Sequence, residues 1–306
     1  VDSTGSPHLP QNRRKTSEQT SSKMHCIRNP LSRRVVILGL FVVSNFVPNV
    51  SALIPASPQE QTRRAIRSLS DAIQGAKERG AQARFYVDYL IPLPPETQAA
   101  DIDPWPGGLA QMYPYASDIL ETILKGITEE PSPTCSSQVL SQSDCCGFFI
   151  QQSEISARND VAAILFPGVD QLDKIEEIDK MVGNQRTLIL FNKQFQRPAD
   201  FGFGKKDRCK KVVFDRFSYG FAFQEFACRG EDTKLTFEYP NWQSCVICDE
   251  DLDKGQQEIP LLEPQVTRPS YESLEKKINE VLPEPLWMRK MNEAESKGFK
   301  FQRGGQ

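Results

Sequence analysis

The residues able to do acid–base or nucleophilic chemistry are unevenly placed along this chain. Its 306 residues hold two histidines, His8 and His25. Past residue 52 no imidazole is available, which removes Ser-His and Cys-His nucleophile pairs and His-liganded metals from the body. Cys245 and Cys248 form a C-x-x-C pair, but a structural zinc needs four ligands. If 242–248 is a strand, positions three apart lie about 10 Å apart on opposite faces, beyond the ~7 Å Cα span of a disulfide. The pair therefore reads as core or half-core. Cys135, Cys145 and Cys146 share one irregular stretch, bridged in an oxidising compartment or reduced elsewhere. The spacing does not suggest zinc on these three with Cys245 or Cys248. The acids Asp249, Glu250, Asp251 and Asp253 lack the glycine and the closing glutamate of a calcium loop and read as a solvated turn. Gly202-Phe203-Gly204-Lys205-Lys206 has the composition of a phosphate loop without a predicted helix after it, so Lys205, Lys206, Lys210 and Lys211 read as solvated. No catalytic residue, metal or cofactor is expected.

The elements that would position a site follow from periodicity. A helix is predicted over 58–80, with Pro58 in its first turn, Ala65, Ile66, Leu69, Ala72 and Ile73 at helical spacing, and Gly80 as its stop. A strand follows over 84–91, then a loop over 96–108 and a helix over 115–127. Residues 128–146 read as a Ser/Pro/Cys loop, and 147–150 as a short apolar strand. The apolar runs 161–166 and 187–191 read as strands buried on both faces. Between them 172–182 is an amphipathic helix with Leu172, Ile175, Ile178, Met181 and Val182 inward. That is a βαβ unit with a parallel strand pair. Strand-like stretches at 212–226, 234–239 and 242–248 suggest an antiparallel meander, and 271–282 a terminal helix. The fold class is α/β: a mixed sheet with a parallel βαβ core and an antiparallel meander, helices on the faces. It forms a single domain over 58–283 with a polar tail, 284–306. In such sheets ligands sit at the carboxyl ends of the strands, here Pro167, Gly168, Asn192 and Gln194. Against this, Pro167-Gly168 turns the chain and Asn192 caps it. Pro104, Trp105 and Pro106 form an aromatic loop suited to contact a protein.

The start of the chain reads as an address. Residues 1–23 are polar, a disordered or untranslated leader. Met24, Arg28, Arg33 and Arg34 precede the apolar run 35–43, and Val50-Ser51-Ala52 supplies small residues for cleavage, so 24–52 has the order of a signal peptide. The run is about half of the ~18–20 residues a membrane span needs. The junction with Leu53-Ile54-Pro55 resembles that of the bipartite plastid signals of diatoms and related algae, which makes 53–57 a short transit or linker segment. A secreted protein is the alternative, but residues after 52 carry seven cysteines, an odd number, and no Asn-x-Ser/Thr site. Residues 1–52 carry seven basic and two acidic residues, leaving 30 against 38, or −8, for the rest. A mildly acidic body argues against a general nucleic-acid binder.

Three stretches carry a family resemblance. They are 58–80 leading into Arg84-Phe85-Tyr86-Val87-Asp88-Tyr89-Leu90-Ile91-Pro92; Leu188-Ile189-Leu190-Phe191-Asn192-Lys193-Gln194-Phe195; and Arg229-Gly230-Glu231 with Tyr239-Pro240-Asn241-Trp242. They resemble the plastid and cyanobacterial domain of unknown function found in the low-photosystem-II-accumulation type assembly factors and at the C-terminus of a plastid adenylate kinase. Lys193 and Phe195 stand where that family tends to have proline and tryptophan. The resemblance implies a plastid protein linked to photosynthetic membranes, stromal or thylakoid-peripheral, with no established activity or catalytic residues. The function expected is a non-catalytic accessory or assembly factor that binds proteins at or near the thylakoid. Its partners would be photosynthetic complexes or insertion machinery, with peripheral membrane contact and no transmembrane helix in the mature body. The competing expectation is a small-molecule or nucleotide-binding domain, which as an enzyme would work without histidine.

Overall fold

The helix predicted first is also the best defined. In α1 (Pro58–Glu78) Ser57 caps the amino end by accepting from the Glu60 N–H, Pro58 sits in the first turn, and Gly80 follows the helix at φ 64°. These features belong to a computed structural model that describes residues 52–94, 105–128, 134–248 and 257–298. The expectations placed on the leader, on Pro104 and on the 249–253 acids lie outside them.

Among the described residues nine strands form one mixed sheet in the order β2-β3-β4-β5-β1-β6-β7-β8-β9. Its parallel centre is β4 (Val161–Leu165), β5 (Thr187–Phe191), β1 (Arg84–Asp88) and the start of β6 (Ser218–Cys228). β6 continues antiparallel into β7 (Glu231–Glu238), β8 (Asn241–Cys248) and β9 (Gln257–Gln265). At the other side β3 (Cys146–Gln152) pairs antiparallel with β4, and β2 (Thr134–Ser141) with β3. Alternate side chains of the central strands fill two cores. Phe85, Val87, Ile189 and Phe191 face α1 and α2 (Gly108–Thr128). Tyr86, Leu188 and Leu190 face α3 (Leu172–Val182) and the segment carrying the short turn α4 (Lys206–Cys209) and a π-type turn, Lys210–Phe214. α1 lies so close to β6 that a Cβ on Gly220 would come 2.5 Å from Leu69 Cδ2. α5 (Tyr271–Val281) and α6 (Leu286–Ser296) end the described chain.

The α/β class, the βαβ unit and the meander are as the sequence predicts. Several local readings differ. The 128–146 stretch is not all loop, since it contains β2. β9 was not foreseen. Val212 to Phe214 belong to the π-type turn rather than to a strand, and α2 starts seven residues early despite Pro114 inside it. A short helix does follow Gly204. Met181 is 53% exposed; Asp179 shares the inward face of α3 instead. Cys135, Cys145, Cys146, Cys209, Cys228 and Cys245 are free thiols; on β8 Cys245 is buried and Cys248 half-buried.

Candidate functional site

At the carboxyl ends of the parallel strands the chain leaves in two directions. From β1 it passes to α2 on the α1 face; from β5 it passes to the 198–214 segment on the α3 face. Divergence of neighbouring connections is where open α/β sheets form a crevice.

The loops at this end are strained and heavily tied. Phe166 after β4 has φ 51° and Asn192 after β5 has φ 50°, a left-handed conformation that costs about 1–3 kcal/mol for a residue other than glycine. The ladder continues through them, with Phe166 N–H on Phe191 O at 2.9 Å and Asn192 N–H on Val87 O at 2.7 Å. The Asn192 side chain then bridges back to β1, accepting from Tyr89 N–H at 2.6 Å and donating to Tyr89 O at 2.8 Å. Gln194 donates its backbone N–H to Pro167 O at 2.9 Å, and Gln171 accepts from Gly168 N–H at 2.8 Å while donating to Asp144 at 2.7 Å.

Above these loops lies a groove of 510 Å³. Phe166, Gly168 and Gln194 form one wall, Gly107 and Ala110 the other, and Asp144 stands on the rim. The two sets of residues singled out in the sequence thus meet in one place. Gly168 and Gln194 line the groove, whereas Pro167 and Asn192 hold the loops beneath it. Trp105 is half-buried and packs edge-on against Tyr115, with centroids 5.4 Å apart, at the start of the segment that builds the opposite wall; Pro106 is exposed. Trp105 thus packs partly against the α1–α2 core rather than standing fully exposed.

On the α3 face of the same strand ends is a cluster that sequence reasoning missed. Lys193 is 6% exposed. Its Nζ lies 3.5 Å from Asp88 Oδ1, 3.3 Å from the Tyr219 hydroxyl, and 5.1 and 5.4 Å from the Tyr86 and Tyr219 ring centres. Asp88 also accepts from Gln224 and from the Tyr219 hydroxyl. Burial lowers the Lys193 pKa against the opposing pull of Asp88, and raises those of Tyr86 and Tyr219. So enclosed an amine is a polar lock between β1, β5 and β6 rather than a nucleophile open to substrate. The signal for it was present: Asp88 closes one buried strand, and Lys193 is the first charge after another.

A larger concavity, 630 Å³, separates α6 from β7 and β8, where Arg289 bridges to Glu231 at 2.7 Å. It lies at the antiparallel end, away from the switch in connections. Among the described residues no three His, Cys, Asp or Glu side chains converge as a metal site.

The model of a family described as a domain of unknown function, DUF1995, matches residues 55–276. The chain belongs to this family. The DUF1995 match takes in all nine strands, both walls of the groove and the Lys193 cluster, and stops before α6. No curated protein and no solved structure matches the chain.

Proposed function

We propose that this DUF1995 protein is a non-catalytic accessory or assembly factor of a plastid, acting by binding another protein at or near the photosynthetic membrane. The observation that carries the reading is the make-up of the groove. Two of its polar side chains, Gln171 and Gln194, are engaged in holding strained loops, and the small residues Gly107, Ala110 and Gly168 leave room along it. Such a surface suits an extended peptide segment, and the acids Asp144 and Asp170 along it favour a basic one. The resemblance to the low-photosystem-II-accumulation type factors and the signal-like leader support the plastid address. Among the described residues no helix is long and apolar enough to cross a membrane.

Affinity purification of the tagged full chain should recover photosystem or insertase subunits, and Ala110→Trp, which fills the groove, should lose them. Recovery of soluble metabolic enzymes alone counts against the reading. Fluorescent protein fused after the first ~80 residues from Met24 should enter a plastid; secretion to the medium removes that address.

The groove's volume also lies within the ~300–1,000 Å³ range of small-ligand pockets, which keeps a nucleotide or metabolite as a second reading. Saturable thermal stabilisation by a member of a ligand panel, lost in Ala110→Trp, would favour it.

A further inference from the structure

The 198–214 segment carries an exposed feature that neither the fold nor the groove uses. Phe201 is buried and packs against Phe195 at 4.8 Å and Phe214 at 6.2 Å. Two residues later Phe203 is fully exposed, the most exposed of the large apolar residues described. It stands between Gly202 at φ 74° and Gly204 at φ 92°, left-handed positions that turn the chain outward and back. Lys205, Lys206, Lys210 and Lys211 follow, all exposed and none in an ion pair among the described residues. Asp207 is the one acid in 202–211. Arg208 is engaged, pairing with Asp173 at 2.5 Å and with Glu176 of α3. The base of the loop is thus pinned on both sides. Its tip presents one aromatic ring, followed directly by Lys205 and Lys206 and, one short helical turn later, by Lys210 and Lys211.

We propose that the Phe203 loop is a docking site for an anionic lipid bilayer, with the phenyl ring entering the headgroup–acyl boundary and the lysines over acidic headgroups. Three observations select this occupant. A lone exposed ring costs free energy in water and gains it in an interface. The cations are concentrated in one short stretch of a chain whose residues after 52 sum to −8, so attraction to a negative surface acts at this point rather than over the whole molecule. The pinned base means little ordering is needed on docking. A nucleic acid is disfavoured because it calls for a basic track longer than this tip.

The test is co-sedimentation of the full chain with vesicles of phosphatidylcholine, with and without phosphatidylglycerol. The leader is common to all variants, so differences among them report on the loop. Wild type should partition to the anionic vesicles and be released by salt. Phe203→Ala should weaken partitioning about tenfold, and the Lys205→Glu/Lys206→Glu pair about thirtyfold or more, with melting temperatures little changed because all three side chains are exposed. In Phe203→Trp, the added fluorescence should be quenched by brominated acyl chains. Equal partitioning of all variants would overturn the proposal, as would no preference for anionic vesicles. So would loop-dependent binding of an RNA oligonucleotide without vesicle binding.

Discussion

The two ends of the parallel strands each bury a cation against an aspartate, and they do so differently. At the amino ends Arg84, 1% exposed, donates Nε to Asp179 Oδ1 at 2.6 Å, Nη1 to the carbonyls of Arg186 at 2.8 Å and Ala83 at 3.1 Å, and Nη2 to Gly183 O. Arg216 takes the other Asp179 oxygen. Four of the five donors of a planar fork are matched, and the pair fastens α3 to β1. At the carboxyl ends Lys193 sits 3.5 Å from Asp88 between two aromatic faces, a point charge held by proximity. Burial lowers the pKa of both cations, but the arginine has four hydrogen-bond acceptors to offset it. The amino end is built for fixity. The carboxyl end carries strained loops, a loosely matched charge and an open groove, features that cost stability.

Breaking the amino-end pair should give the largest effect. Asp179→Ala leaves Arg84 buried beside no counter-charge and should cost about 3–5 kcal/mol, read from denaturant midpoints at constant slope. A loss near 1 kcal/mol would mean that the carbonyls alone satisfy the guanidinium, and the contrast would fail. Lys193→Met should cost less, about 1–2 kcal/mol, because Asp88 keeps Gln224 and Tyr219. It should also change the pH dependence. The folded pKa of Lys193 lies below its unfolded value, so wild type is penalised while the folded lysine is protonated. The penalty fades as pH rises through the folded pKa towards the ordinary lysine value of about 10.4. The stability of wild type relative to Lys193→Met should therefore climb with pH over that interval; a flat difference would show that the ammonium is as comfortable as in water.

Asn192 separates strain from bonding at the carboxyl end. Asn192→Gly relaxes the left-handed backbone but removes both bonds to Tyr89, and should cost about 1–2 kcal/mol. Asn192→Ala loses the same bonds and keeps the strain, so it should be worse by about 1 kcal/mol. Equal losses would mean that the backbone there is not strained.

What the sequence disclosed follows burial. Val161–Leu165 and Thr187–Phe191 are buried on both faces, and their apolar runs marked them cleanly. The two strands it failed to disclose, β2 and β9, are the sheet edges. β2 reads Thr-Cys-Ser-Ser-Gln-Val-Leu-Ser, with no buried residue to impose alternation. β9 holds Pro260 and Pro264, which an edge tolerates and a pattern reader takes for loop. Val212 and Val213 show the reverse error: a short apolar run means burial, and burial in a helical turn looks the same as in a strand. Half of the candidate site was legible for an equally local reason. Pro167-Gly168 and Asn192 stand where strands end, so the groove's floor could be named. The pairing of Gly168 with Ala110, or of Lys193 with Asp88, depends on strand order, which no single stretch encodes.

The smallest effect, and the one that reads the open end directly, concerns adjacent cysteines. Cys145 lies in the β2–β3 turn at the groove, half-exposed at φ 52°. Cys146 begins β3 and is buried, and desolvation pushes its pKa up to about 12; Cys245 on β8 is raised to about 12 by the same cause. Alkylation follows the thiolate and its access, so at mildly alkaline pH iodoacetamide should modify Cys145 while Cys146 and Cys245 stay protected until the protein unfolds. Peptide mass spectrometry distinguishes the neighbours. Because Cys145 points no buried group into the core, its modification should shift the midpoint of unfolding by less than about 0.5 kcal/mol. A partner seated in the groove should slow labelling at Cys145 and leave the others unchanged. Equal labelling of Cys145 and Cys146 in the folded protein would mean that the β2–β3 turn opens as a unit, and that the groove has no fixed rim on that side.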